Sequence, residues 1–293
     1  MNIEITKQPN AELKILATIE KEKVAVAYEK IVDKIVLDSE IKGFRKGKAP
    51  KELVVEKMDI SKVHGEVISA LLKEYYPQIL KEKSIFPYSS PKLEVKEFEI
   101  GKDFIFEALV AVKPEITMPK YEKIIEKNSK EKTLTTEEIV DAILEETKFE
   151  LSELMINEET DRLLERFISQ IRTLNLNVDQ LLKAQNKTYE DLLADHKSIA
   201  EKNIKSEFVL MEVVKDQKLE ATEEEINEFV NNLGDENLAN RLLTTDEKWY
   251  VKGVIEKNKA IEYLKSLIVY KEPEKTEAKV EESQKEDENN EEK

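Results

Sequence analysis

The chain has 293 residues, a formal net charge of −16 and 40% hydrophobic content, enough for about two domains with buried cores. It contains no cysteine, which excludes disulfides, thiolate zinc sites and a cysteine nucleophile. The acidity excludes broad nucleic-acid binding, because most of the surface would repel phosphate, so any RNA contact must be local. Charged residues make up 38% of the chain, which points to many exposed helical faces rather than one rounded globule. The opening MNIEITKQP has no basic region followed by an apolar run, so no secretory signal is read there. No apolar run approaches the roughly 20 residues that span a bilayer. These features predict a soluble, cytoplasmic protein without a membrane partner.

Residues 1 to 20 read as two strands. Ile3 and Ile5 alternate with polar neighbours, and after a turn at Pro9-Asn10 the residues Leu13, Ile15, Ala17 and Ile19 do the same. From Lys23 the period lengthens. Val24, Tyr28, Ile31 and Ile35 fall three or four apart, which predicts an amphipathic helix ending near Ser39. A short helix follows over Glu52 to Met58. Ser61 is placed to cap a further helix in which Val67, Leu71 and Tyr75 share a face, and Pro77 is expected to kink or break it. FPYSSP (86 to 91) reads as a loop. Leu93 and Val95 mark a third strand, and Phe104, Phe106, Ala108, Val110 and Val112 a fourth, with a hairpin turn at Gly101-Lys102. Strands at both ends with helices between them predict an α+β domain over residues 1 to 112.

Between the first two helices lies KGFRKGKAPK (42 to 51), with Lys42, Arg45, Lys46, Lys48 and Lys51 and no acidic residue. Gly43 and Gly47 permit positive φ, and Pro50 fixes its own φ, so the stretch is a shaped loop. Phe44 is an apolar side chain at its centre. Arg45 can make bidentate contacts to phosphate or carboxylate, and Lys46 adds a point charge. The plain alternative is a solvated basic loop without a partner.

KPEITMPKYEKIIEKN (113 to 128) carries two prolines and reads as an extended linker. From Lys120 to Glu272 there is no proline, and from Lys102 to Leu233 no glycine, which predicts an almost wholly helical region over 135 to 270. Helix starts are marked by Thr135 with Glu138, Thr222 with Glu225 and Thr244 with Glu247, and more weakly by Thr188 with Asp191. Apolar faces run through Leu163, Phe167, Ile171 and Leu174, and through Ile204, Phe208 and Met211. Further apolar positions include Ile226, Phe229, Val230, Trp249, Val254, Ile261 and Leu264. The segment 271 to 293 holds ten acidic and five basic residues and no aromatic, so it is expected to stay disordered.

GFRKGKAP (43 to 50) resembles the ribosome-docking loop of trigger factor, the bacterial chaperone at the exit of the ribosomal tunnel. LSELMINEETDRLLERFISQI (151 to 171) and the stretch 177 to 230 resemble the helices of that family's C-terminal chaperone domain, so the resemblance covers roughly residues 1 to 270. It implies an α+β N-terminal ribosome-docking domain, a linker over 113 to 134, and an all-α, extended (SurA-like) chaperone domain over 135 to 270. It further implies an ATP-independent chaperone that shields nascent polypeptides and assists folding and export. Its partners would be the large ribosomal subunit, through ribosomal protein and rRNA, and unfolded or nascent chains, with a weak homodimer off the ribosome. The docking residues carried over are Gly43, Phe44, Arg45, Lys46, Gly47, Lys48 and Pro50.

Most members of that family insert an FK506-binding-type prolyl-isomerase domain after the linker. Here that position holds only SKEKTL (129 to 134), and the glycine-free stretch leaves no room elsewhere, so the chain is not expected to be an enzyme. An isomerase like its relatives, and a holdase that never visits ribosomes, remain the alternatives. His64 and His196 sit in separate elements without metal-spaced partners, and no phosphate-cradling glycine loop exists, so no metal, nucleotide or other cofactor is expected. The acidic pairs lie in first turns of helices, where carboxylates favour the dipole. Apolar helical stripes are usually core, but a holdase needs some of them exposed for weak contact with many sequences. Met155, Phe167, Met211, Phe229 and Trp249 are the candidate client contacts.

Overall fold

The computed structural model describes residues 1–174, 176–234, 236–244 and 247–269. The expected disorder of 271 to 293 lies outside the described residues. Strands β1 (Asn2–Gln8), β2 (Glu12–Ile19), β3 (Lys92–Glu97) and β4 (Phe104–Ala111) form one antiparallel sheet in the order β1-β2-β4-β3. Ile5, Ile15, Ala108 and Leu93 share one row across the four strands, so the apolar positions of every strand face the same side. Helices α1 (Lys21–Asp38) and α3 (Ile60–Glu82) cover that side. Phe104 and Phe106 stack there at 5.5 Å, wholly buried among Val24, Val67 and Leu71. A fully buried aromatic side chain contributes about 1.5–3 kcal/mol from burial, so this pair is a large part of the core.

Two local expectations for α3 are corrected. Its cap is Asp59, not Ser61: the Asp59 carboxylate accepts from the N–H groups of Ser61 (3.1 Å) and Lys62 (3.4 Å). A carboxylate one residue before the helix reaches these orphan donors, which Ser61, already inside the helix, does not. Nor does Pro77 end the helix, which continues to Glu82. An interior proline costs about 3 kcal/mol. Leu71 and Ile79 are fully buried on either side of it, and each such side chain returns about 1.5–3 kcal/mol. Pro77 and Lys73 both lie on the exposed face, where the carbonyl freed by proline meets water.

The chain divides into two compact units that do not follow the expected sequence boundaries. One comprises Met1–Met118 and Thr147–Glu212, the other Pro119–Glu146 and the chain from Val213. In the first unit, α6 (Glu153–Thr173) starts at Ser152, whose hydroxyl accepts from the Leu154 N–H and donates to Glu12 (2.6 Å). Leu151, Met155 and Ile156 pack with Ala111 and with Phe208 of α8 (Tyr189–Gln217). A separate cluster joins Leu164 to Leu182 of α7 (Val178–Ala184) and to Leu192. Leu174, expected on the buried face of α6, is 67% exposed because the helix ends at Thr173 and its stripe ends at Ile171.

In the second unit, the expected extended linker is partly a helix, α4 (Tyr121–Asn128), which packs on α5 (Thr136–Glu146). Tyr121, Ile124 and Ile125 fall on one face and are buried, a spacing that the two upstream prolines do not interrupt. The Tyr121 hydroxyl donates to Asp216 (2.5 Å) and accepts from Gln217 (2.7 Å) at the end of α8. Helices α9 (Glu223–Asn231), α10 (Glu236–Thr244) and α11 (Lys248–Ser266) share a core of Ile226, Val230, Val251 and Ile255.

The expected reciprocal caps form at Thr135/Glu138, Thr188/Asp191 and Thr222/Glu225. The fourth is different: α11 begins after Glu247, which makes no side-chain cap bond, and the Thr244 side chain lies outside the described residues. At the α5 cap, the Lys132 ammonium and then the Thr135 N–H and hydroxyl pull the Glu138 pKa from the ordinary 4.5 down to about 2. A lowered folded pKa means the contribution is full above the unfolded value and is lost on acidification. The α5 cap is therefore expected to be intact at pH above about 4.5 and to fail as pH falls toward 2, read as a Glu138 carboxyl titration and faster Thr135 amide exchange. A carboxyl midpoint at 4.5 or higher would contradict the cap.

Candidate functional site

Helix α1 ends at Asp38, and Ser39 closes it by donating from both its N–H (3.3 Å) and its hydroxyl (2.8 Å) to the Val36 carbonyl. Two successive turns follow. The Phe44 N–H donates to the Ile41 carbonyl (2.9 Å), and the Lys48 N–H donates to the Arg45 carbonyl (2.9 Å). Gly43 (φ +97°) and Gly47 (φ +69°) supply the left-handed conformations these turns need. Gly47 has a second constraint. Its N–H donates to the Ser39 carbonyl (3.1 Å), and a Cβ there would sit 2.6 Å from the Leu37 carbonyl oxygen. The loop is thus pressed directly against the end of α1.

Its far foot is fastened as well. Ala49 is buried, and Pro50 leads into α2 (Lys51–Lys57) with φ −56°, a value suited to the start of a helix. Lys51 returns to α1 and pairs with Glu29 (2.6 Å) and Asp33 (2.7 Å). Those two carboxylates raise its pKa, so it stays charged at any physiological pH.

Between the two feet, Phe44 is 45% exposed, and Lys42, Arg45, Lys46 and Lys48 are exposed as well. None of these four cations has an acidic partner within ion-pair distance among the described residues, whereas Lys51 has two. The arrangement holds four free positive charges and one apolar ring on a backbone fixed at both ends. Chemically it can receive phosphate or carboxylate oxygens beside an apolar contact. It offers no nucleophile and no general base. Among the described residues no group of three or more His, Cys, Asp or Glu could hold a metal ion.

The sequence reading missed three exposed apolar neighbours in the flanking helices: Leu37, Leu53 and Val55. A signal for them exists. Leu53, Val54 and Val55 are consecutive on one short helix, and only Val54 is buried, so its two neighbours must face outward. Leu37 lies off the α1 stripe that Val24, Ile31 and Ile35 define.

The candidate client contacts are dispersed. Met155 is 4% exposed inside the cluster around Phe208, so it has no surface to offer, because α6 turns its first two turns toward that core. Phe167 is half-buried and meets His196 edge-on at 5.2 Å. Met211 and Phe229 are half-buried against their own cores. Trp249 is 72% exposed and sits edge-on to the exposed Tyr250 at 6.2 Å. Apolar side chains not anticipated as exposed include Leu176, Tyr189, Leu193 and Ile199 in the first unit.

Two family models match the chain. That described as bacterial trigger factor protein covers residues 1–147, and that described as bacterial trigger factor protein C-terminus covers 120–268. Trigger factors of Staphylococcus epidermidis and of Staphylococcus aureus strain JH9 are each 32% identical over 153 residues. The matched stretch is 52% of this chain and 35% of each relative, so it spans about a third of their length. A solved structure from work on promiscuous substrate recognition in folding and assembly activities of the trigger factor chaperone aligns with a TM-score of 0.67. That alignment covers 91% of this chain and 99% of the other at 12% identity, a likeness of fold.

Substituting Gly47 by alanine is expected to disturb the loop more than Gly43→Ala, since only the former meets backbone as well as an unfavourable φ. Amide exchange at Phe44 and Lys48 should rise more in Gly47→Ala, by about tenfold or more for a strain beyond roughly 1.4 kcal/mol. Equal exchange in the two variants would show that the close approach to Leu37 does not hold the loop.

Proposed function

The chain belongs to the bacterial trigger factor family, and on that premise we propose that it is an ATP-independent chaperone that docks on the large ribosomal subunit near the tunnel exit. The single observation behind the docking step is the loop at 42 to 51, with its unpaired cations and exposed Phe44 on a doubly fastened backbone. Phe44 would pack on a ribosomal protein. Arg45, Lys46 and Lys48 would pair with acidic groups or rRNA phosphate. Gly43, Gly47 and Pro50 would hold the shape. Because the chain as a whole is acidic, only this face would be drawn to the ribosome, which orients the docked protein.

The helical regions would shelter emerging apolar segments and so assist folding and export. A preformed cleft is not required: exposed apolar side chains on separate helices, Trp249 and Leu193 among them, give many weak contacts of low selectivity. Release needs no nucleotide, because a client that buries its own apolar surface no longer offers it. Among the described residues no helix is long and apolar enough to cross a membrane, which is compatible with a cytoplasmic role.

The proposal excludes prolyl-isomerase activity. The two family models overlap at 120–147, and the intervening turn between α4 and α5 leaves no internal stretch for an inserted domain. In a protease-coupled proline-peptide assay the chain is expected to give the uncatalysed rate, and clear turnover would overturn this part of the reading.

Docking is tested by co-sedimentation with large ribosomal subunits. The parent should pellet with them, and Phe44→Ala/Arg45→Ala/Lys46→Ala should lose at least about tenfold in affinity with unchanged helical circular dichroism, since three contacts of roughly 0.5–1.5 kcal/mol are removed. Equal pelleting of both proteins would reject the loop as the docking surface and favour a free holdase.

A further inference from the structure

The sheet has two open edges, and they are built differently. Strand β3 is guarded. Four of its six residues are charged, Lys96 is tied to Glu94 (2.7 Å) and Glu107 (3.6 Å), and its register shifts between Val95 and Glu97. Charges and bulges of this kind are how natural edges refuse further strands. Strand β1 has neither guard in that strength. All seven of its residues pair with β2 in unbroken register, from Asn2 opposite Thr18 to Gln8 opposite Glu12, and only Glu4 and Lys7 are charged. Among the described residues no strand lies beyond it, so every second residue turns an unpaired N–H and C=O outward.

The side chains of β1 define what could pair there. Ile3 continues the row of Ala17 and Phe106, and Ile5 that of Ile15 and Ala108, on the side covered by the helices. Those four β2 and β4 residues are wholly buried, whereas Ile5 is 40% exposed, so the apolar layer is unfinished along β1. The other face of β1 carries Asn2, Glu4, Thr6 and Gln8, all polar. A strand completing both faces must alternate apolar and polar residues. A second copy of β1 fits poorly. Paired antiparallel with faces matched and centred on Ile5, it sets Lys7 beside Ile3 of the other copy; centred on Thr6, it sets Lys7 beside Ile5; centred on Glu4, it sets Glu4 against Glu4. A foreign segment with an apolar or acidic residue opposite Lys7 meets none of these conflicts.

We propose that β1 is a client-binding edge, to which an extended segment of an unfolded polypeptide, apolar at alternate residues, adds as a fifth strand. This rests on the reading of the chain as a chaperone and names the class of segment taken: stretches whose apolar residues alternate rather than cluster. Backbone pairing gives attraction that is independent of client sequence, and the alternation gives selectivity.

The full chain is titrated with three short peptides: one alternating valine and threonine, one of the same composition with its valines consecutive, and the alternating one methylated at every backbone nitrogen. The alternating peptide is expected to shift the amides of residues 2–8 more than those of β3, and to slow hydrogen exchange at every second residue of β1. The methylated peptide keeps the side chains but has no N–H to donate, and is expected to bind at least about tenfold more weakly. The rearranged peptide should bind more weakly than the alternating one. Ile5→Lys, which sets a charge in the inward row at an exposed position, is expected to lose about tenfold while the β2 and β4 amides stay in place. The methylated peptide decides the matter even if that variant disturbs the sheet. Equal binding of the methylated peptide, or shifts that spare residues 2–8, would overturn the proposal. So would β1 amides that move with protein concentration before any peptide is added, which would mark a second copy as the occupant. Suppression of aggregation of a chemically unfolded client then separates the two readings. The parent should protect it, and Ile5→Lys should protect less. Equal protection by both would reject the edge as a client site and leave the chaperone reading standing. No protection by either, with the β1 shifts intact, would reject the chaperone reading and leave the strand pairing standing.

Discussion

The inner face of the four-stranded sheet is the constraint on which the first unit depends. Ile15, Ala17 and Ile19 of β2 and Phe104, Phe106, Ala108 and Val110 of β4 are all fully buried there. Strands β2 and β4 come from opposite ends of the N-terminal segment, so neither can bury its apolar face until the other is in place. Once paired, they fix α1 and α3 above them. The end of α1 then presents the Ser39 and Leu37 carbonyls against which Gly47 closes. The geometry of an exposed loop is thus inherited from a dry core beneath it.

Charge is arranged on a different principle. The chain is strongly acidic, and some of its cations are matched by nearby carboxylates, as Lys102 is by Glu99 in a hairpin turn and Lys205 by Glu201 along α8. Such surface pairs contribute little to stability. In the loop, Lys51 alone turns back to α1, and Lys42, Arg45, Lys46 and Lys48 have no ion-pair partner among the described residues. Four such cations crowded into seven residues make this a concentrated basic face on an acidic protein.

The second unit shows how sequence-distant pieces are joined. Residues 119–146 pack with residues beyond 213, and the buried Tyr121 ring reaches Asp216 and Gln217. Burial, followed by the Asp216 carboxylate, raises the pKa of the Tyr121 phenol, which keeps it a donor throughout the physiological range. Ser129, fully buried, accepts from the Val269 N–H at 3.2 Å. The turn at 129–134 is therefore part of a packed structure and not a slack remnant of a linker.

Much of the fold was legible locally. Period-two alternation marked all four strands, threonine-to-carboxylate spacing marked three helix starts, and the glycine, proline and basic residues of 42 to 51 marked a shaped loop. These features depend on interactions between residues a few positions apart, which a linear sequence records. What it did not record was which apolar surface found a partner. Proline-rich composition concealed α4, whose face at Tyr121, Ile124 and Ile125 has meaning only against α5 and the end of α8. Pro77 marked a break that packing on both sides overrode. Met155 and Trp249 were equal candidates by type, yet one is buried and the other open, because burial is decided by segments tens of residues away. Sequence alone determined the periodicities, three of the helix caps and the charge of the loop. Tertiary structure decided which faces are covered, because long-range packing, not local propensity, sets where water is excluded.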